Sequence, residues 1–378
     1  MKNGIGKISF AVLGAGNGGV ATAADLTVRG FDVNLWEHPD FEENIKPLVE
    51  IGGVNLEVLP STLLKEGFAK IKLITTNIEK ALKDVDVVLI IVPSFAHGSF
   101  AEFCTPYLRD NQIVIITPGN FGGALQFNNI FNQKGNAKGV IFAEAECMIY
   151  ACRKKNPTTI WIRGYKKGLR IAALPSKYNH KVMESIKQVY PEVLPGANII
   201  ETGLSNPNSI MHTPIMVLNA GLIDRTKGNF LFYHEGVTPC IAKVIEAIDY
   251  ERLTIGNAFK TKMRSLYEQD MEWYGYQGAV GENIYETCVN NSIYQWSKAP
   301  DTFQHRYLTE DIPYGLAALE DLGHKAGVLT PLTTSMINLA QILVGKDLRK
   351  DRRSLEKLGL SQKNIDEIIK FINDDNKE

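Results

Sequence analysis

A chain of 378 residues has room for two domains and a sizeable core. Its 41 basic and 42 acidic side chains leave a formal charge of −1, which argues against the concentrated positive field of a nucleic-acid binder. No stretch approaches the roughly 20 uninterrupted apolar residues that a membrane helix needs. The opening run MKNGIGKISFAVLGAG breaks at Gly14 and Gly16 with no signal-peptide cleavage site behind it.

The first half alternates strands and helices. Residues 8–13 read as a strand buried on both faces, followed by a glycine turn and a helix from about Gly18 to Arg29. Further strands are expected at Phe31–Trp36, Ile71–Thr75, Val85–Val92, Gln112–Ile116 and Gly139–Ala143, with a short helix at Ile78–Leu82. This alternation implies parallel strands with right-handed crossovers, the doubly wound α/β architecture. Thr158–Arg163 and Gly168–Ala173 look like added strands, a helix spans about Asn179–Val189, and Asn198–Thr202 reads as one more strand. From Ser205 onward helical spacing dominates. The turn chemistry of Asn206-Pro-Asn208 therefore divides residues 1–205, a Rossmann-type domain, from residues 206–378, an all-α domain. The basic run Lys346–Arg353 is interrupted by Asp347 and Asp351 and reads as a solvated face or loop. Residues 355–373 read as a helical hairpin tip with Ser361 capping the last helix. The apolar stretch after residue 320 suits either core or the surface of a homodimer.

Gly14-Ala-Gly16-Asn17-Gly18-Gly19 is a GxGxxG turn between the first strand and the first helix. Gly14 permits the turn, Gly16 lets backbone approach a pyrophosphate, and Gly19 lets helix pack on strand. The amides at the helix start, Asn17 and Gly18 among them, face the phosphates. Glu37 follows Gly19 by eighteen residues, at the predicted end of the second strand. A carboxylate there accepts ribose hydroxyls and repels a 2′-phosphate, so NAD(H) is favoured, while His38 and Lys46 leave room for NADP(H). Two later strand ends, Pro93-Ser94 and the Gly119-Asn120 loop, should also touch the dinucleotide, because ligands of open α/β sheets sit beyond the carboxyl ends of strands. Five scattered cysteines, Cys104, Cys147, Cys152, Cys240 and Cys288, have no zinc-ligand spacing and suit reduced thiols in a cytoplasmic protein.

A dinucleotide domain needs a proton donor and a substrate anchor from elsewhere in the chain. His212 in SIMHTPIMVLNAG is one titratable group on an apolar helix; by itself it reads as a hydrogen-bonded core histidine. The segments GAGNGG, TPGNFGG, AEAECMIYACR (143–153), MHTPIMVLNAG (211–221), HRYLTEDIPYGL (305–316) and LEKLGL together resemble the octopine/nopaline (opine) dehydrogenase family over nearly the whole length. The resemblance implies a C-terminal domain of the 6-phosphogluconate-dehydrogenase type. It also implies condensation of an α-keto acid with the amino group of an amino acid, the imine being reduced by NAD(P)H. By motif, His212 resembles the catalytic histidine, Asp311 its acidic partner and Arg306 the arginine near a substrate carboxylate. The chemistry agrees: an imidazole's ordinary pKa of about 6.5 suits proton transfer at neutral pH. A carboxylate on its other nitrogen fixes the tautomer, and an arginine fork suits a carboxylate.

Asn219, seven residues from His212, shares its helix face and is either a substrate or nicotinamide contact or structural. Glu144, Cys147 and Tyr150 follow a sheet strand and either line the substrate pocket or pack. No acidic cluster presents itself to grip a guanidinium, a departure from arginine-using members. The alternative enzyme is a 2- or 3-hydroxy-acid or ketopantoate-type dehydrogenase on the same plan, although such relatives rely on a lysine. A dinucleotide sensor would need an output element that the chain lacks.

Overall fold

The computed structural model describes residues 7–374; Met1–Gly6, part of the stretch read as lacking a signal peptide, lie outside that range. Contacts divide the chain into two compact units. The first comprises residues up to Pro118 and Gly123–Pro195, the second Gly119–Gly122 and the residues from Gly196 on. The boundary thus falls ten residues before the expected one, because the segment after Pro195 is not a strand. Asn198 accepts hydrogen bonds from the Ile200 and Glu201 amides and caps a helix, Ile199–Leu204. Capping chemistry overrides the β preference of the Ile199-Ile200 pair.

In the first unit the strands are β1 (Ser9–Leu13), β2 (Asp32–Trp36), β3 (Val54–Val58), β4 (Gly67–Ala69), β5 (Leu73–Thr75), β6 (Val87–Ile90) and β7 (Ile113–Ile116). They continue with β8 (Ile141–Ala145), β9 (Tyr150–Asn156), β10 (Thr159–Tyr165), β11 (Arg170–Leu174) and β12 (Leu194–Pro195). An eight-stranded sheet runs β12-β11-β8-β7-β6-β1-β2-β5. Its pairs are parallel except β11 on β8. Every residue of β6 and β7 is buried, as strands covered on both faces must be. The strand order reverses at β1, which pairs with β2 on one side and β6 on the other, so the loops after β1 and β6 flank the switch point. A second sheet, β4-β3-β10-β9, is a difference from the expected single sheet. The Thr158–Arg163 run belongs there, paired with β3 and β9, and β9 lies along the helix α1 (Asn17–Val28).

The second unit is built from helices; its described residues add to them a single isolated bridge, Leu231 to Lys298. After α1 we number only those used below: α2 (Pro207–Leu218), α3 (Pro239–Ala258), α4 (Arg306–Thr309), α5 (Ala317–Ala326), α6 (Pro331–Val344) and α7 (Ile365–Asn373). α2 sits in their core, with Ile210, Met211, Ile215 and Met216 packed among Ile245, Leu308, Ile312 and Ile337. The run after residue 320 is divided in its roles: Met336, Ile337 and Ala340 of α6 are core, whereas Leu339 and Ile342 are exposed.

Two further expectations are corrected. The basic run is not simply solvated: Arg349 forks onto Glu320 of α5, Arg352 bonds Asp321, and Arg353 is buried. The last helix is capped by Asn364, not Ser361, in a reciprocal pair with Glu367. No described helix is long and apolar enough to cross a membrane.

Candidate active site

The glycine turn has the expected shape. Gly14 holds φ +103°, and a Cβ there would meet the Ile91 carbonyl oxygen at 2.5 Å. A Cβ on Gly19 would lie 1.7 Å from the Gly14 carbonyl oxygen, so helix and strand approach as only glycine allows. A Cβ on Gly16 would meet nothing within 4 Å. Gly16 is also the N-cap of α1, with no side chain capping the helix and no acidic residue in its first turn. Open space beside uncapped amides is what a pyrophosphate needs, so these residues fit a bound dinucleotide.

Glu37 is buried directly after β2, and its carboxylate has partners within the protein. It accepts hydrogen bonds from the Ala15 amide (3.0 Å), the His38 amide (2.9 Å) and the Asn44 side chain (3.1 Å). Ala15 is held from the other side by Lys154 of β9, whose ammonium donates to the Ala15 carbonyl at 2.9 Å. The Lys154 amide also bonds the Asn17 side chain. Burial lowers the Lys154 pKa from its ordinary value, against the opposing pull of Glu37. A lysine on a strand of another sheet carries no sequence signal for this position, and sequence reasoning missed it. Lys154→Met is expected to weaken NADH binding about tenfold, the scale of one charge-assisted contact. A fluorescence titration checks this; an unchanged Kd would leave the amine only its structural bond to Ala15.

Pro93 caps a short 3₁₀ turn that begins at Ser94, which is buried. Gly119 and Asn120 fall in the second unit, where the Arg353 guanidinium donates to the carbonyls of Gly119 (3.1 Å), Asn120 (3.0 Å) and Phe121 (3.0 Å). The Asn206 side chain bonds that of Asn120. These contacts hold the loop in the left-handed region at Asn120, Phe121 and Gly122.

Glu144 lies within β8, Cys147 follows it and Tyr150 opens β9, and all three are buried. Glu144 is fully buried and accepts the Ala124 amide at the start of a helix, Gly123–Lys134. The Cys147 carbonyl accepts the Thr117 hydroxyl. The Tyr150 hydroxyl donates to Asp25 at 2.6 Å and bonds Tyr190 at 2.8 Å, and burial together with Asp25 pushes its pKa well up. Tyr150 is 3% exposed, with its hydroxyl engaged by Asp25 of α1. All five cysteines are free; burial pushes the Cys152 thiol up to about 11.

In the second unit, Asn206 caps α2 and Pro207 takes its first turn. Pro214 inside α2 contributes no amide to the helix ladder, which opens the turn that carries His212. His212 is 6% exposed, and its Nδ1 lies 2.7 Å from Asp311 Oδ2. Asp311 stands where α4 gives way to a π-turn, Ile312–Leu316, a distortion frequent at functional sites. A carboxylate accepts, so Nδ1 carries a proton and Nε2 is the nitrogen available for acid–base work. Nε2 lies 2.8 Å from the Tyr233 hydroxyl. Tyr307 stacks on the ring at 3.8 Å, and Phe232 meets it edge-on at 5.7 Å. Neither Tyr233 nor Tyr307 was legible as a site residue, although Tyr307 sits inside the HRYLTED motif.

Arg306 heads α4 with its side chain 61% exposed and pairs with Glu310 at 2.7 Å, not with Asp311. Its fork remains near the surface. The Asn219 side-chain amide donates to the Ile215 and Gly236 carbonyls, both at 2.9 Å, closing the end of α2. Among the described residues no cluster suits a metal.

Comparison with known proteins agrees with this division. The family model for the NAD/NADP octopine/nopaline dehydrogenase alpha-helical domain matches residues 195–344. That for the NAD-dependent glycerol-3-phosphate dehydrogenase N-terminus matches residues 9–119. An opine dehydrogenase of Arthrobacter sp. (strain 1C) is 35% identical, the match covering 93% of this chain and 95% of the relative. The octopine dehydrogenase of Pecten maximus is 25% identical over 91% of this chain and 92% of the relative. In fold the chain is similar to an octopine dehydrogenase solved with NADH and agmatine, at TM-score 0.78, 22% identity and coverage of 96% and 98% of the two chains. It is also similar to an NADP+-bound yersinopine dehydrogenase, at TM-score 0.71, 15% identity and coverage of 97% and 98%. The glycine cradle, the helical domain and a relative matched almost end to end place the chain in the octopine/nopaline (opine) dehydrogenase family of NAD(P)-dependent oxidoreductases acting on CH–NH bonds.

Proposed function

We propose that the chain condenses a pyruvate-like α-keto acid with the amino group of an amino acid and reduces the product to an N-(carboxyalkyl) amino acid, with NADH favoured. The observation that carries this reading is the Asp311–His212 pair in the family's helical domain. When bound, the dinucleotide supplies the hydride. Around it, the Gly14–Gly19 turn, Glu37 and Lys154 would hold the cofactor. His212 moves protons between nitrogen and oxygen of the reacting pair, and Asp311 fixes its tautomer and stabilises the imidazolium. The exposed fork of Arg306 suits the keto acid's carboxylate. Five free cysteines suit a cytoplasmic enzyme.

The test is NADH and NADPH oxidation with keto acid alone and with keto acid plus a panel of amino acids. Turnover is expected only with both substrates, and faster with NADH. Full-rate oxidation with the keto acid alone would instead identify a hydroxy-acid or ketopantoate-type dehydrogenase.

A further inference from the structure

The imidazole of His212 has little free surface. Asp311 takes Nδ1, Tyr307 covers one ring face, Phe232 packs edge-on, and the residue is 6% exposed. Only Nε2 is left for proton exchange, and it faces the hydroxyl of Tyr233 at 2.8 Å. Tyr233 is less buried than His212. Its position is fixed: the ring stacks on Tyr294 at 4.1 Å and 19°, and meets Phe232 edge-on at 5.1 Å. Tyr294 is itself anchored, its hydroxyl donating to Asp270 at 3.0 Å. The backbone on either side is pinned by Phe232 N–H to the Ser297 carbonyl and Val237 N–H to the Tyr233 carbonyl.

From this geometry we propose that Tyr233 is a catalytic residue: its hydroxyl contacts the condensing substrates and relays protons between them and His212 Nε2. The proposal rests on His212 being the acid–base group. A phenol hydroxyl both donates and accepts, so one proton can arrive at the oxygen as another leaves it. The condensation needs such a two-way path. An ammonium and a ketone become an iminium ion and water, which transfers two protons from nitrogen to the former keto oxygen. In each pass the substrate nitrogen gives a proton to the Tyr233 oxygen while the Tyr233 proton moves to Nε2. The flow then reverses onto the substrate oxygen. After the first pass the nitrogen lone pair has formed the C–N bond. After the second, the C–O bond breaks with its electron pair, water leaves, and the nitrogen lone pair forms C=N. His212 and Tyr233 end as they began, and no further reagent is consumed.

Tyr233→Phe removes the hydroxyl and keeps the ring that stacks on Tyr294. We expect kcat to fall by about two orders of magnitude, with KM for both substrates and the Kd for NADH nearly unchanged. The proton inventory in mixed H2O and D2O should be curved in the parent, reporting two protons in flight, and linear in the variant. A parallel His212→Asn variant separates the two readings. If His212→Asn is inactive while Tyr233→Phe keeps the parent rate and inventory, the relay is overturned and the acid–base assignment stands. If His212→Asn itself keeps the parent rate, the underlying assignment fails, and the relay with it. A Tyr233→Phe loss expressed mainly in KM or in melting temperature would mark a packing residue and overturn the relay as well.

Discussion

His212→Ala is expected to lower kcat by about two to four orders of magnitude while NADH binds as in the parent, the loss typical of removing a general acid–base group. The two effects separate because the Gly14–Gly19 turn, Glu37 and Lys154, which would hold the dinucleotide, belong to the first unit, whereas His212 lies on α2 of the second. The substitution also leaves Asp311, 7% exposed, without its imidazole partner and opens a hole under Tyr307. A buried carboxylate that loses a hydrogen bond costs about 1–3 kcal/mol, so the melting temperature should drop by a few degrees as well. Stopped-flow NADH oxidation, a fluorescence titration and a thermal melt on one preparation check all three quantities. Parent-level turnover by a folded His212→Ala protein would end the acid–base assignment, whatever the stability data showed.

Gly19→Ala should abolish dinucleotide binding at ordinary concentrations and destabilise the first unit. Its methyl group would lie 1.7 Å from the Gly14 carbonyl oxygen and 2.8 Å from that carbonyl's carbon. Neither atom belongs to a flexible side chain. Gly14 cannot move aside easily, since it sits at φ +103° and its amide bonds the Trp36 carbonyl. Something in the β1–α1 turn must shift, and overpacking of this kind typically costs about 1–3 kcal/mol, occasionally more. Gly16→Ala is the informative contrast, because its Cβ meets no protein atom within 4 Å. That variant should melt like the parent yet bind NADH weakly, its methyl standing where the pyrophosphate must approach. Equal NADH affinity in parent and Gly16→Ala would show that the phosphates lie elsewhere.

The cradle was legible because its requirements are local. A glycine at positive φ, a helix start without a cap and a carboxylate one strand later all lie within residues 14–37. Buried parallel strands such as β6 were legible for the same reason, an unbroken apolar run of fitting length. Asn198–Thr202 was misread because β-branched residues favour a strand while a single asparagine cap, two amides away, decides for helix. Glu144 and Tyr150 lay in a motif that suggested a pocket, yet the fold uses their polar atoms to hold a helix start and an Asp25–Tyr190 network. Asn219 shares a helix face with His212, but two backbone carbonyls claim its amide.

By itself the sequence determined the parts whose physics is short-ranged: the strand–turn–helix cradle, the alternation that makes a doubly wound sheet, and, through its motifs, which histidine and aspartate belong together. Only the tertiary structure decided what surrounds them. Tyr233 lies twenty-one residues from His212 and Asp311 ninety-nine, yet both reach its ring within 2.8 Å. Lys154 reaches Ala15 across one hundred and thirty-nine residues. Such contacts depend on how helices and sheets pack, since a side chain's partners are set by three-dimensional neighbours that no local pattern of residue types encodes.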